Sequence, residues 1–309
     1  MPKIYALGET VYDIILKDDV PVAAKAGGSM LNSAVSLGRL GLEVNFVSDM
    51  GNDRLGDNII KFLNDNGINT RYIQRNKNHK TYISIAFLDE LNNANYSFYR
   101  DFPETRLSNI EIGFEANDII LFGSFFALTD ALRSPLIKFL KLAREAGCII
   151  IYDPNFRKSH LHELDKLKPY IIENIGFSDI VRGSDEDFKF IFNSNNVEEA
   201  YKNIFREGCT NLIYTASNNG VYVISADLKL HSEVPDIKVV SSIGAGDNFN
   251  AGVIWSIIEN RLTKKDIEHL PEKSWNKLVQ NGIDFASEVC QSYDNYISRD
   301  FAINKSKIE

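Results

Sequence analysis

The residues best suited to chemistry lie in the stretch Ser241-Ser242-Ile243-Gly244-Ala245-Gly246-Asp247-Asn248-Phe249-Asn250-Ala251-Gly252. Two glycines separated by one alanine allow a tight turn and let the backbone approach a ligand closely. The run Val253-Ile254-Trp255-Ser256-Ile257-Ile258 follows and reads as a buried helix. A helix starting near Gly246 would point its free N–H groups and its dipole at whatever lies above the turn, which is an anion site. During phosphoryl transfer such a site stabilises charge on the migrating group. Asp247, in the first turn, is placed to accept the proton of an attacking hydroxyl and to hold that oxygen in line. Read alone, an aspartate at this position more often caps its helix. A Gly-x-Gly pair alone is also weak. No Gly-Lys-Ser/Thr follows it, so it is not a P-loop, and Phe249 stands where a dinucleotide fingerprint has its third glycine.

The elements around this turn alternate between apolar runs and amphipathic stretches. Ile4–Leu7, Val44–Val47, Ile119–Phe122, Ile149–Tyr152, Ile180–Val181 and Leu212–Tyr214 read as strands. Met30–Leu40, Asp53–Asn66, Asp130–Ala146 and Val197–Glu207 carry apolar residues near helical spacing, the last three followed at once or shortly by glycine. Unbroken apolar strands alternating with helices predict a mostly parallel sheet covered on both faces. Thr81–Leu88 and Asn95–Tyr99 differ: two β-rich runs flank a turn at Asn92–Asn93 with no helix between them, which predicts a hairpin. Val11–Lys17 and Val22–Lys25, broken at Asp18–Asp19, predict a second extended pair. Together these predict a small β-sheet flap beside the main sheet, and the tail after Asp300 reads as frayed.

Bulk composition excludes several functions. The chain has 309 residues, 44% hydrophobic and 25% charged, with a net charge of −8. A core of this size needs no disulfide staples, and a mildly acidic surface argues against nucleic acid as a partner. Cys148, Cys209 and Cys290 form no CxxC pair, so a zinc or disulfide framework is not expected. The opening MPKIYALGET does not read as a secretory signal, and no run is long and apolar enough for a membrane helix. These features predict a cytoplasmic protein. A Gly-x-Ser-x-Gly hydrolase elbow and metal-ligand spacing among the five histidines are both lacking.

Several ordered motifs are together similar to the PfkB (ribokinase-like) carbohydrate kinase family. The Gly244-Ala245-Gly246-Asp247 turn with Phe249, Ala251 and Gly252 resembles its C-terminal signature. Gly27-Gly28-Ser29-Met30-Leu31-Asn32-Ser33-Ala34, followed by Leu37-Gly38-Arg39-Leu40-Gly41, resembles the N-terminal one. Gly8-Glu9-x-x-x-Asp13 and Gly51-x-Asp53-x-x-Gly56 fit as well, and Asp153-Pro154-Asn155-Phe156-Arg157 is similar to a strand end of fructokinase-like and 2-keto-3-deoxygluconate kinase-like members.

The resemblance implies one ribokinase-like domain over residues 1–309. Its core would be a three-layer α/β/α Rossmann-like unit, and its β-sheet lid would come from about residues 10–27 and 79–103. It implies an ATP-dependent kinase acting on a hydroxyl of a small sugar, most simply fructose or a related ketose. Asp247 would be the base, with Gly244, Ala245 and Gly246 as the anion hole. Asp13, Gly27, Gly28 and Asn32 would hold the sugar, although Asn32 alone reads as an ordinary helix-start residue. Arg157, after a strand end, and Arg100, ending the flap, are further substrate candidates; for Arg100 a solvated surface role fits as well. The flap aromatics Tyr82, Phe87, Tyr96, Phe98 and Tyr99 would contact sugar or a second subunit, since lids of the family pair into homodimers.

Nucleotide contacts would come from Thr215, Ser217, Gly220 and Ser184, and Asp187 would stand near Mg2+ carried with ATP. Four departures accompany the match. Ser241-Ser242 replaces the family's Asp-Thr, which weakens the case for a monovalent cation. Ser184-Asp185-Glu186-Asp187 replaces Asn-x-x-Glu, with Asp185 and Glu186 compensating or simply solvated. Ser217 replaces a glycine, and Ala286–Ser292 lacks the expected Gly-Ala segment. Two rival activities follow: a kinase for a sugar acid such as 2-keto-3-deoxygluconate, and a degraded kinase that only binds carbohydrate.

Overall fold

A computed structural model describes residues 1–88, 94–101, 103–108 and 110–307. The chain opens with β1 (Ile4–Leu7), buried on both faces, then makes a hairpin of β2 (Val11–Lys17) and β3 (Val20–Gly27). Asp18 and Asp19 turn it with positive φ, a conformation that short polar side chains tolerate. Helix α1 (Ser29–Arg39) leads into β4 (Val44–Gly51), and α2 (Arg54–Asp65) into β5 (Ile68–Asn69) and β6 (Ile73–Asn76). A second hairpin follows, β7 (Ile83–Leu88) and β8 (Ala94–Tyr99). The turn expected at Asn92–Asn93 lies outside the described residues.

The rest of the chain is β9 (Ile119–Gly123), α3 (Asp130–Ala146), β10 (Ile149–Asp153), α4 (Leu164–Phe177), β11 (Ile180–Ser184), α5 (Asp185–Phe192), α6 (Val197–Arg206) and β12 (Leu212–Thr215). An antiparallel pair, β13 (Val221–Ile224) and β14 (Lys229–Ser232), then precedes α7 (Ala245–Glu259), α8 (Lys264–Glu268), α9 (Glu272–Cys290) and α10 (Arg299–Lys305).

Among the described residues the large sheet runs β14-β13-β12-β11-β10-β9-β1-β4-β5, with β6 beside β4. It is parallel from β5 to β12 and antiparallel only at β13 and β14. Apolar clusters fill both faces, one against α1, α7 and α9 and the other against α3, α4, α5 and α6. The predicted mostly parallel, doubly covered sheet is therefore the observed one.

The small sheet has the order β3-β2-β7-β8. Its two hairpins are predicted by the sequence. The parallel β2–β7 pairing that joins them is not, because period-two patterning does not name a strand's partner. Residues 301–305 are helical rather than frayed. Ser298 caps α10 through the Phe301 amide, Ala302 is buried, and the Phe301 ring meets Phe285 edge-on with 5.3 Å between centroids.

Candidate active site

Asp247 lies where α7 begins, directly after a turn whose N-cap Gly244 has φ 81°, a conformation that favours glycine. The Ala245 N–H donates to Ser242 O at 3.2 Å, so that amide is turned inward. The amides of Gly246 and Asp247 have no protein acceptor among the described residues, which leaves two donors open at the helix start. Asn248 locks the turn from behind, with Nδ2 donating to Gly244 O at 2.7 Å and to Asn295 O at 2.8 Å.

Asp247 itself is only 8% exposed. Its Oδ2 accepts from Asn32 Nδ2 at 2.8 Å, and Ser33 Oγ donates to its carbonyl at 2.7 Å, so α1 fixes both its side chain and its backbone. Burial pushes the carboxyl up to about 6; the Asn32 hydrogen bond opposes this, the Asp153 charge adds to it, and Arg157 and Arg182 pull it down. A carboxylate with this acidity is ionised at neutral pH yet basic enough to take a proton from an alcohol under attack.

The sugar-side candidates converge at the root of the lid. Asp13 on β2 stands opposite Lys25 on β3 and Ser84 on β7, and its Oδ1 accepts from Ser84 Oγ. The Asp13 carboxyl is raised by burial, with Ser84 and Lys25 opposing. Gly27 faces this carboxylate so closely that a Cβ would lie 2.0 Å from Oδ2. Gly28 follows as N-cap of α1, one turn before Asn32. Arg157 is exposed, near enough for its charge to act on Asp247. Arg100 is held in the fold: Nη2 lies 3.5 Å from Glu9 Oε2, and its guanidinium sits over Phe98 and Phe125. Tyr82 does not reach a sugar or a partner; it is buried beneath the lid with its hydroxyl 3.3 Å from Asp49. The Tyr96 side chain lies outside the described residues.

On the other side, Thr215 ends β12, Ser217 has φ 48°, and the Gly220 carbonyl closes the loop on the Ala216 N–H at 2.9 Å. A groove of about 900 Å³ opens beside this loop, lined by Ala216, Asn218, Asn219, Tyr214, Tyr222 and His231 among others, and does not include Asp247. Ser184 caps α5 in a reciprocal box with Asp187: Ser184 N and Oγ donate to Oδ2 at 2.7 and 2.6 Å. The second oxygen of Asp187 accepts the Phe156 N–H at 2.6 Å. Both Asp187 oxygens are thus engaged by protein donors, and no cluster of three or more His, Cys, Asp or Glu that could hold a metal ion occurs among the described residues.

Sequence reasoning missed two cations here. Arg182 on β11 reaches under the Gly246 turn, and Lys25 ties the lid to the loop behind Gly244, donating to Tyr293 O at 2.9 Å and Asn295 Oδ1 at 3.0 Å. A charge inside the strand Ile180-Val181-Arg182-Gly183-Ser184 was the available signal for the first.

The model of the pfkB family carbohydrate kinases matches residues 1–300. The chain belongs to this family. Its members are phosphotransferases acting on a sugar hydroxyl, and so is this protein. Among curated relatives, probable fructokinase-6 of Arabidopsis thaliana is 26% identical over 284 residues, covering 88% of this chain and 74% of the relative. Fructokinase-1 of Zea mays is 26% identical over 263 residues, covering 82% and 80%. The fold is shared with a fructokinase double mutant from Vibrio cholerae O395 solved with fructose, ADP and potassium ion, at TM-score 0.84 and 20% identity over 97% of this chain and 95% of that one. Aminoimidazole riboside kinase from Salmonella enterica, complexed with aminoimidazole riboside and an ATP analog, has TM-score 0.84 and 19% identity over 98% and 99%. The family kinase is thus fructokinase-like in its relatives and ribokinase-like in its fold. No helix among the described residues is long and apolar enough to cross a membrane.

Proposed function

We propose that the protein transfers the γ-phosphoryl group of ATP to a hydroxyl of fructose or a closely related ketose, with Asp247 as base. The observation that carries this is the pairing of a buried, basic carboxylate with the open Gly246 and Asp247 amides in a single helical turn. In the reaction the sugar oxygen forms a bond to the γ-phosphorus as the bond to the β,γ-bridging oxygen breaks. The hydroxyl proton passes to an Asp247 oxygen and ADP leaves. Asn32 holds the carboxylate in place, Asp13 and the Gly27-Gly28 backbone grip the sugar, and the open Gly246 and Asp247 amides receive the charge of the migrating group, the Ala245 amide being taken up by Ser242 O. Thr215, Ser217, Gly220 and Ser184 line the nucleotide side of the proposal. Mg2+ carried by ATP would neutralise phosphate charge.

A monovalent cation is left out. Ser241 supplies no carboxylate, and its Oγ accepts the Ile243 N–H at 3.2 Å. The Glu9–Arg100 ion pair weighs against a substrate carboxylate at Arg100, and leaves Arg157 as the cation for a sugar-acid kinase. The lid exposes Val20, Val22, Phe87 and Tyr99, which supports a homodimer through that sheet.

The test is ADP release over a panel of fructose, ribose, keto-deoxy acids and adenosine, with product identification. We expect a ketose to turn over and Asp247→Ala to lower kcat by roughly 10²–10⁴-fold, the range for loss of a general base. Turnover of a keto-deoxy acid alone would transfer the proposal to the sugar-acid reading. Sugar binding without ADP release, unchanged in Asp247→Ala, would mean a carbohydrate-binding protein instead.

A further inference from the structure

Arg182 is a charged residue in an otherwise apolar strand, and its side chain is only 9% exposed. Its Nη1 donates to Asp153 Oδ2 at 3.0 Å and its Nη2 to Thr215 Oγ1 at 2.8 Å. Asp153 is fully buried and also accepts from Asn250 Nδ2, on α7, at 2.6 Å, and from the Asn155 N–H at 3.0 Å. The guanidinium presses on the turn itself: a Cβ at Gly246 would lie 2.6 Å from Nη1 and 3.0 Å from Nη2. Gly246 has no positive φ, so what demands glycine there is the approach of the arginine rather than backbone conformation. Phe249 closes the other side, its ring centroid 5.5 Å from Cζ, and Nε has no hydrogen-bond partner among the described residues.

A counter-charge for Asp153 alone would not need this contact. Any buried cation within reach of Asp153 would serve, and the turn could carry an ordinary side chain. The planar fork of arginine can instead span Asp153 and Thr215 while laying its face on the Gly246 Cα. A fixed positive charge then stands against Gly246, whose amide is one of the two left open. The groups facing Asp247 are Asn32 from α1, Asp153 from β10, Arg157 from the segment after it and Arg182 from β11.

We propose that Arg182 is a positioning residue for phosphoryl transfer: it braces the Gly246 amide from below and backs the anion hole with a buried positive charge anchored by Asp153. The inference rests on the kinase reading, so the wild-type enzyme is assayed first with ATP and the sugar panel. Failure of wild type to release ADP with any acceptor refutes the kinase reading, and this inference with it, before any variant is made.

With wild type active, Arg182→Met should lower kcat by roughly 10²-fold, the scale for losing one preorganised donor, with little change in the KM for the sugar. Arg182→Lys keeps the charge but not the fork, and should give an intermediate kcat. The acidic limb of kcat/KM, which reports Asp247, should move to higher pH in Arg182→Met, because a charge that favours the carboxylate is gone. The decisive comparison is Arg182→Met combined with Asp153→Asn, which also keeps the test open should the single variant not fold. If the arginine only neutralises Asp153, removing both charges restores both thermal stability and kcat. We expect stability to return while kcat stays low. Recovery of kcat in the double variant, or wild-type kcat in Arg182→Met, overturns the proposal.

Discussion

Two buried clusters of carboxylates and arginines hold this molecule together, and they are finished differently. At the root of the lid, Arg106 and Asp49 have fully buried side chains, and Arg106 Nε and Nη2 both donate to Asp49, the shortest contact being 2.6 Å. Glu9 lies 3.6 Å from Arg106 and 3.5 Å from Arg100, and burial raises its carboxyl against the pull of both guanidiniums. Every carboxylate there faces a cation. Beneath α7, Arg182 is committed to Asp153, and among the described residues Asp247 receives one side-chain hydrogen bond, from the neutral Asn32. The first cluster is closed by ion pairs within 4 Å, whereas Asp247 has guanidiniums near it but is ion-paired to none among the described residues. Closure fixes the lid on the core, whereas the missing partner keeps a carboxylate available for a proton.

The comparison breaks first at the lid root. Removing one member of a buried, hydrogen-bonded pair leaves the other charge uncompensated and typically costs about 3–5 kcal/mol. We predict a loss of this size for Arg106→Met, read from urea unfolding, and a smaller loss for Arg106→Met combined with Asp49→Asn. Asp247→Asn should instead leave the fold intact. If Arg106→Met were as stable as wild type, the lid-root cluster would not be the closed, stabilising one.

The contrast was only partly legible in the sequence. The glycine motifs could be read because close backbone approach permits few other residues, and Gly27-Gly28 and Gly244–Gly246 mark the two ends of the proposed site. The central strands could be read because burial on both faces leaves unbroken apolar runs such as Ile149–Asp153. Ion pairs were not legible. Arg106, Asp49 and Arg182 join residues far apart in the chain, and nothing in a single sequence pairs a charge with its partner. Asp187 showed its type but not its full occupation: the Ser184 box is local, but the Phe156 N–H reaches the second oxygen only once β10 and β11 lie side by side.

A second test uses pH to separate the clusters. The Asp247 carboxyl sits near 6 in the folded protein against an ordinary 3.8. Between those values the folded state holds a proton that the unfolded state has released. Folding stability should therefore rise as pH falls from about 6 toward 4, and the ionised form is a burden above that window. The change is about 3 kcal/mol for a rise from 3.8 to about 6. Asp247→Asn should be more stable than wild type at pH 7 by a similar amount, and the difference should shrink on acidification. Parallel stability curves for the two proteins would show that Asp247 is solvated rather than buried, and the openness assigned to its cluster would lose its physical basis.

The smallest effect belongs to the strained loop proposed to hold the nucleotide. Ser217 holds φ 48°, and a side chain in this left-handed region costs roughly 1–2 kcal/mol relative to a relaxed backbone. Glycine would remove that strain but would also free the unfolded chain, and the second effect gives back part of the gain. We predict that Ser217→Gly raises stability by roughly 0.5 kcal/mol, the remainder after these opposing terms. If Ser217 also touches the nucleotide, the KM for ATP should shift while the KM for the sugar does not. A variant that changes only stability would place Ser217 with the closed, structural residues; one that changes only the ATP KM would place it with the open site that Asp247 and the Gly246 amide define.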